Sequence, residues 1–242
     1  MAEVTMSGEP TLAIRRWAAW MPGRESAADW AQRPLQKAEA PVAYPDCRFV
    51  DASQRRRLSP LARICLHLAQ ACAVDVPAAK LVFASRHGEV NRTHLMLEDI
   101  AADSPVSPTV FGLSVHNAIA GMLSLLRRDA SAASAVAAGE QTLGYGLLEA
   151  ALEAAADPSQ PVLLLFADLP LLPFYQGADD GLDQPQGLAL LLQAGAPRWS
   201  LRQDAHARAP EGWPQPAWLA HGLAGERPRL ELNGWRLCRE GA

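Results

Sequence analysis

Hydrophobic positions along the chain switch repeatedly between a period of about two and one of about 3.6, the marks of strand and amphipathic helix. Residues 11 to 20 mix Leu12, Ile14 and Trp17 with Arg15 and Arg16 and predict a first strand, ended by the turn chemistry of Met21-Pro22-Gly23. The proline-bearing stretch 24 to 57, with its Arg55-Arg56-Arg57 run, reads as a surface connection. Ser59-Pro60 starts a helix: serine caps free amides, and proline is tolerated in the first turn, where its missing donor costs nothing. Leu61, Ile64, Cys65, Leu68 and Cys72 then recur at helical spacing. A short buried strand over 81 to 84 follows, then Ser85 to Glu89, and a helix carrying Leu95, Met96, Leu97 and Ile100.

A Ser/Pro-rich loop, 104 to 109, leads into 111 to 126, which is apolar on most sides and ends at Arg127 and Arg128. That pattern predicts a buried helix, not merely a docked one. Ser114, Asn117, Gly121 and Ser124 form one narrow stripe of small or polar groups on it, a face that another backbone could approach closely. Further on come a short strand over 135 to 139 and a helix burying Leu147, Leu148, Ala151, Leu152 and Ala155, closed by Asp157-Pro158. The near-continuous apolar run 162 to 167 suits a strand covered on both faces. Strand, helix, strand, buried helix, strand, helix, strand is the order of a layered α/β sheet. Beyond Asp168 the segments 168 to 186 and 205 to 228 read as irregular, while 187 to 195, 199 to 203 and 230 to 237 read as strands. The last of these holds an Asn233-Gly234 hairpin turn.

Composition narrows the function classes. Of 242 residues 49% are hydrophobic and 20% charged, an ordinary globular balance. Twenty-two basic against twenty-six acidic residues give a formal charge of −4, which argues against a nucleic-acid partner or an anionic lipid surface. Lysine occurs only at Lys37 and Lys80, so arginine supplies the rest of the basic residues. The N-terminus has no basic end followed by an apolar core, and no apolar run approaches the roughly 20 residues of a membrane span. A soluble, cytoplasmic protein is expected. Cys47, Cys65, Cys72 and Cys238 are scattered, without metal or redox spacing.

Candidate chemistry is sparse. Asp168 follows a buried strand, where α/β sheets place active groups, but a carboxylate before Leu169-Pro170 also suits a turn. His87 and His94 could align on a helix with Glu89 between them, yet no third metal ligand is evident. Gly144-x-Gly146 lacks the third glycine of a dinucleotide motif. Ser114 has the bulky neighbours Leu113 and Val115 where a nucleophile elbow needs glycines. His116 and Asn117 are polar groups at the start of an apolar helix, either satisfied core residues or the wall of a pocket.

Three blocks carry a family resemblance. They are Ser107-Pro108-Thr109 leading into Ser114-Val115-His116-Asn117-Ala118-Ile119-Ala120-Gly121, then Ala137-Ala138-Gly139-Glu140, then Pro161 to Asp168. Together they resemble the N-terminal half of β-ketoacyl synthases, and more narrowly the short chain-length factors of aryl-polyene-type gene clusters. The resemblance spans residues 11 to 195, and its most specific part is 107 to 140. It implies a thiolase-like, half-thiolase α/β domain over 11 to 195 with a buried central helix, and a β-rich C-terminal extension over 196 to 242.

In that family the buried helix begins with a nucleophilic cysteine at a strand-to-helix turn, where the helix dipole lowers the thiol pKa. The resemblance places that position between Phe111 and His116, and none of those residues is cysteine. The family's catalytic histidines lie in a second repeat, for which this chain is too short. The implied protein is an accessory subunit without a cofactor or independent activity, paired as a heterodimer with a full-length ketosynthase in fatty-acid or polyketide synthesis. An acyl carrier protein would be reached through that complex. Phe111, Leu113, Ser114, His116 and Asn117 would wall its pocket; Ser114, Asn117, Gly121 and Ser124 would face the partner. The rival readings are a stand-alone acyltransferase or thioester hydrolase using Ser114 and His116, a small-molecule binding protein, and a structural scaffold.

Overall fold

A computed structural model describes residues 9–32, 41–178 and 182–241. Eight strands form one sheet in the order β3-β2-β4-β5-β1-β6-β8-β7. They are β1 (Thr11–Trp20), β2 (Lys80–Ala84), β3 (Ala133–Val136), β4 (Val162–Asp168), β5 (Gln186–Leu192), β6 (Arg198–Gln203), β7 (Arg229–Leu232) and β8 (Trp235–Arg239). The parallel pairings are those of β2 with β3 and with β4; every other pairing is antiparallel.

The helices are α1 (Ala27–Ala31), α2 (Ala52–Arg55), α3 (Pro60–Ala73), α4 (Val90–Ala101), α5 (Pro108–Gly112), α6 (Ala118–Arg127), α7 (Thr142–Ala156) and α8 (Gln215–Ala224). Two cores sandwich the sheet. Val162, Leu164 and Phe166 of β4 pack with α7 and α8, whereas Leu163, Leu165 and Ala167 pack with α3 and α6. All seven residues of β4 and of β5 are therefore buried, and the unbroken apolar run at 162 to 167 has its cause. Each buried Leu or Phe side chain contributes roughly 1.5–3 kcal/mol.

Connection geometry sets the site. From β2 the chain crosses through α4, α5 and α6 to β3, then returns past β2 through α7 to β4. The two crossovers run in opposite directions along the sheet. A common right-handed sense then puts their helices on opposite faces, as observed. Loops that leave neighbouring strands toward opposite faces open a crevice at the carboxyl ends of those strands. Close approach of α7 to the sheet needs its glycines: a Cβ on Gly146 would stand 2.8 Å from Ala84 Cβ, and one on Gly144 only 2.1 Å from the Trp235 indole. The Gly144-x-Gly146 pair thus serves packing. At the other end of α7, the Lys80 Nζ donates to the Glu153 carbonyl at 2.9 Å and pairs with its carboxylate at 2.9 Å.

Strands β6, β8 and β7 extend the same sheet, since β6 pairs with β1 from Thr11↔Ser200 to Ala13↔Arg198. The Asn233-Gly234 turn joins β7 to β8 with Gly234 at φ +81°, the left-handed backbone such hairpins require. Among the described residues no helix is long and apolar enough to cross a membrane.

Four expectations need correction. First, 111 to 126 is not one helix. Pro108 opens a single turn capped by Ser107, Gly112 closes it, and 113 to 117 form turns in which the Ser114 Oγ donates to the Phe111 carbonyl at 2.8 Å. A side-chain bond of that kind competes with helix continuation. Second, the remaining helix α6 is one-sided, not buried all round: Ile119 and Leu123 face the core, but Leu125 is 82% exposed. Third, 205 to 228 contains α8, whose Pro216 sits in the first turn. Every residue from Pro216 to Gly222 is buried, so no polar face marks its period. Fourth, 24 to 57 is more than a surface connection. Trp30 of α1 is fully buried with its indole Nε1 donating to the Ala19 carbonyl, and Cys47 and Val50 join the α3 core.

Candidate functional site

The carboxyl ends of β2, β3 and β4 meet at a cleft of about 520 Å³ between the start of α7 and the start of α8. Arg86 enters it from the end of β2, Gly139 and Glu140 from the turn after β3, and Asp168 from the end of β4.

Asp168 is the polar centre of this corner. Its Oδ1 accepts from the Ser85 hydroxyl at 2.8 Å, from the Arg86 amide at 2.8 Å and from the His87 amide at 3.4 Å. The residue is 3% exposed, and burial pushes the carboxyl pKa up to about 6 against those three donors. The Ser85 Oγ also accepts from the Gly88 amide at 2.8 Å, and the ring Nε2 of His116 lies 2.9 Å from the Ser85 carbonyl, to which it donates. Serine, histidine and aspartate thus share one network without forming a catalytic triad. The serine proton goes to the aspartate, the histidine proton goes to a backbone carbonyl, and Ser85 is fully buried.

A strand-to-helix elbow does exist, and it lies at 137 to 142 rather than at 111 to 116. β3 ends at Val136, Gly139 takes φ +56°, and α7 begins at Thr142. The expected elbow at 111 to 116 does not form: Phe111 and Gly112 close the short helix α5 and 113 to 116 follow it in turns, with no strand leading into them. The elbow residues Ala137, Ala138, Gly139, Glu140 and Gln141 include no thiol and no hydroxyl. The nearest hydroxyl, Thr142 Oγ1, donates to the Gly139 carbonyl at 2.7 Å and accepts from the Ala138 amide at 2.9 Å. Above the Gly139 Cα lies open space. The site sequence reasoning missed was signalled by Gly139 itself, three residues beyond the end of a short strand and three before the start of α7.

The sequence-derived candidates lie elsewhere. None of Phe111, Leu113, Ser114, His116 and Asn117 lines the cleft. Phe111 is 58% exposed on α5, Leu113 and Ser114 are half-buried in the following turn, and Asn117 is exposed just before α6. His116 alone approaches the strand ends, from the α3/α6 side, with its ring 5.6 Å from that of Phe83. The stripe Ser114, Asn117, Gly121 and Ser124 is not one helix face, because Ser114 stands outside α6 and the Ser124 hydroxyl is bonded to the Asp129 carbonyl. His87 precedes α4 while His94 sits within it, bonded to Tyr175 and paired with Glu98, and Glu89 is held by Ser59 and Arg92. Those three residues do not converge.

The cysteines offer no substitute nucleophile at the elbow. Burial pushes Cys47 up to about 11 and Cys72 up to about 12, and Cys65 well above the usual thiol range. A thiol so shifted is protonated at neutral pH. Among the described residues no group of three or more His, Cys, Asp or Glu side chains could hold a metal ion.

The sheet order, the elbow and the helices on both faces define a thiolase-like domain of the ketosynthase type. The model of the β-ketoacyl synthase N-terminal domain matches residues 27–223, and the chain belongs to that family. One chain of the ketosynthase ApeO in complex with its chain length factor ApeC, from Xenorhabdus doucetiae, is similar with a TM-score of 0.81. The two are 26% identical, over 94% of this chain and 98% of that one. A β-ketoacyl synthase from Burkholderia phymatum shares the fold at a TM-score of 0.61 and 11% identity, covering 91% of this chain and 71% of that one. The ishigamide ketosynthase/chain length factor does so at 0.57 and 16%, covering 81% and 68%. A search of curated protein sequences gives no significant match.

Proposed function

We propose that this chain is a non-catalytic accessory subunit of the chain-length-factor type, paired with an active ketosynthase in polyketide or fatty-acid chain building of the aryl-polyene kind. The observation that carries the reading is the elbow. Its turn and helix N-terminus are built as a nucleophile would need them, yet the apex is Gly139 and the adjacent Thr142 hydroxyl is consumed by two backbone bonds. Covalent acyl transfer needs a thiolate or an activated hydroxyl. The Ser114 alternative is disfavoured because its hydroxyl donates to Phe111 while the His116 Nε2 donates to Ser85.

Pairing is supported by β3. It is an edge strand of alternating exposed and half-buried residues, a row of unpaired backbone groups of the kind that another strand completes. Dimers of the family form through the strand that precedes the elbow, which here is β3. The similarity to a chain of the ApeO/ApeC complex at near-complete coverage of both chains supports the same reading. Phe111, exposed on α5, is then available to wall a tunnel shared with the partner, and Asn117 and Gly121 are open at the start of α6. Incubation with an acyl-carrier thioester, followed by intact-mass measurement, is expected to leave the chain unmodified. Co-expression with a full-length ketosynthase is expected to give one co-eluting species. A stoichiometric mass gain abolished by Ser114→Ala, or two separately eluting folded monomers, would overturn the proposal.

A further inference from the structure

Beside the strand-end cleft, and sharing Glu140 and Asn233 with it, a second cavity of about 550 Å³ lies between the start of α7 and the segment 205 to 208. One charge of each sign lines it. Arg208 and Glu140 are both exposed, and no ion pair joins them to each other or to another described residue. Anchoring sets the two apart from ordinary mobile surface charges. The Arg208 Nη1 donates to the Ala205 carbonyl at 2.8 Å and to the Ala207 carbonyl at 2.7 Å. Both Nη1 hydrogens are thereby used, and Nε with Nη2 remains as a fork that matches a carboxylate. Asp204, close by in sequence, does not compete for that fork, because it is paired with Arg236. Glu140 is fixed through its backbone, where its carbonyl accepts from the Gln215 side chain at 2.8 Å. The third wall is aromatic. Tyr145 is 38% exposed, and its ring meets that of the buried Trp235 edge-on, with centroids 5.2 Å apart and planes at 79°. Such packing holds the tyrosine ring in place while leaving part of it open.

We infer that this cavity binds a zwitterionic amino acid with an aromatic side chain, its carboxylate on the Arg208 fork, its ammonium on Glu140 and its ring against Tyr145. The arrangement discriminates among ligand classes. A simple anion is opposed by Glu140, a simple cation by Arg208, and an apolar molecule gains only the tyrosine ring. A ligand that carries both charges and a ring gains all three contacts at once. Its size fits, since pockets for small molecules run from about 300 to 1,000 Å³. Binding is by this chain alone and involves no covalent step, so the inference does not rest on the accessory reading.

The test is calorimetric titration of the full chain, at about 0.15 M salt, with phenylalanine and with three analogues that each lack one group: 3-phenylpropionate, phenethylamine and alanine. Saturable binding of phenylalanine is expected, with each analogue weaker by about tenfold or more, the fold-change of a hydrogen bond to a charged group or of a buried ring face. Glu140→Gln removes the partner of the ammonium at similar size. It abolishes the advantage of phenylalanine over 3-phenylpropionate and keeps its advantage over phenethylamine. Arg208→Gln does the reverse, and Glu140→Gln, on an exposed side chain, decides the matter if Arg208→Gln does not fold. Binding of 3-phenylpropionate or phenethylamine as tight as that of phenylalanine would overturn the inference. So would unchanged preferences in a folded Glu140→Gln protein, or no saturation by phenylalanine.

Discussion

Replacing Asp168 by asparagine tests which force governs the strand-end network. Oδ1 alone accepts all three donors, so an asparagine carbonyl can take the same bonds in the same place. Substitution therefore removes charge while preserving geometry. Two opposing effects act on the native carboxylate: three donors favour the ionised form, and near-complete burial disfavours it. Burial prevails, raising the pKa from 3.8 to about 6. A carboxylate whose folded pKa lies above its unfolded value binds its proton more tightly when folded. Its contribution to stability is whole below pH 4 and is lost as pH rises through about 6. A shift of roughly two units corresponds to about 3 kcal/mol. Urea denaturation of both proteins at intervals from pH 4 to 8 isolates this one group, because the depressed carboxylates elsewhere, such as Asp75 beside Arg16, are common to both. The stability of Asp168→Asn relative to the parent is expected to rise by about 3 kcal/mol between pH 4 and 7 and then to level off. A difference that stays flat, or one in which the parent gains on the variant as pH rises, would show that the donors outweigh burial and refute the reasoning.

Three further outcomes are expected. Gly144→Ala improves helix propensity by up to about 1 kcal/mol, but its methyl would fall 2.1 Å from the Trp235 ring, so urea denaturation should show a net loss of about 2 kcal/mol. Ser59→Ala removes both the cap of α3 and the hydroxyl donor to the buried Glu89, and should lower stability by about 2–4 kcal/mol in the same assay. Phe111→Ala should leave the melting temperature of the isolated chain nearly unchanged, since the ring is mostly exposed. In a reconstituted pair it should shift product chain length without abolishing synthesis, as measured by mass spectrometry of the products.

Elements with a regular period and explicit end signals were legible in the sequence. β1, α3, β2 and β4 appear where alternation, the Ser59-Pro60 cap and the apolar run at 162 to 167 predict them, and the Asn233-Gly234 hairpin forms as its turn chemistry requires. Illegible segments lacked a one-dimensional signal. α8 is buried along nearly its whole length and begins among prolines, so nothing alternates. The break between α5 and α6 depends on Ser114 turning back to Phe111 and on His116 reaching a strand 31 residues away, contacts that no local pattern encodes. Of the site, the placing of Asp168 at the end of a buried strand could be read from the apolar run before it. The elbow at Gly139 was displaced to 111 to 116, because the apolar run there resembles the buried helix more closely than α7 does.

Once the elbow is placed at Gly139, the role of the last three strands follows from contacts rather than analogy. Trp235 fills the surface of α7 left bare by Gly144, the Gly234 Cα lies against the Gln141 side chain, and Gln215 donates to the Glu140 carbonyl at 2.8 Å. Asn233 is held in turn through its amide, which donates to the Gln215 side chain at 3.1 Å. The hairpin tip and the start of α8 therefore cover the first turn of α7. This face is closed from within the chain, and the sheet grows outward from β1 in the direction of β6, away from β3. What stays open around α7 is its outer side, with Tyr145 and Leu152 each more than one-third exposed, and the unpaired edge of β3. The proposed partner is expected at that edge. Charged substitutions there, such as Ala135→Asp, should therefore prevent co-elution with a ketosynthase, whereas substitutions on the far edge strand β7 should not.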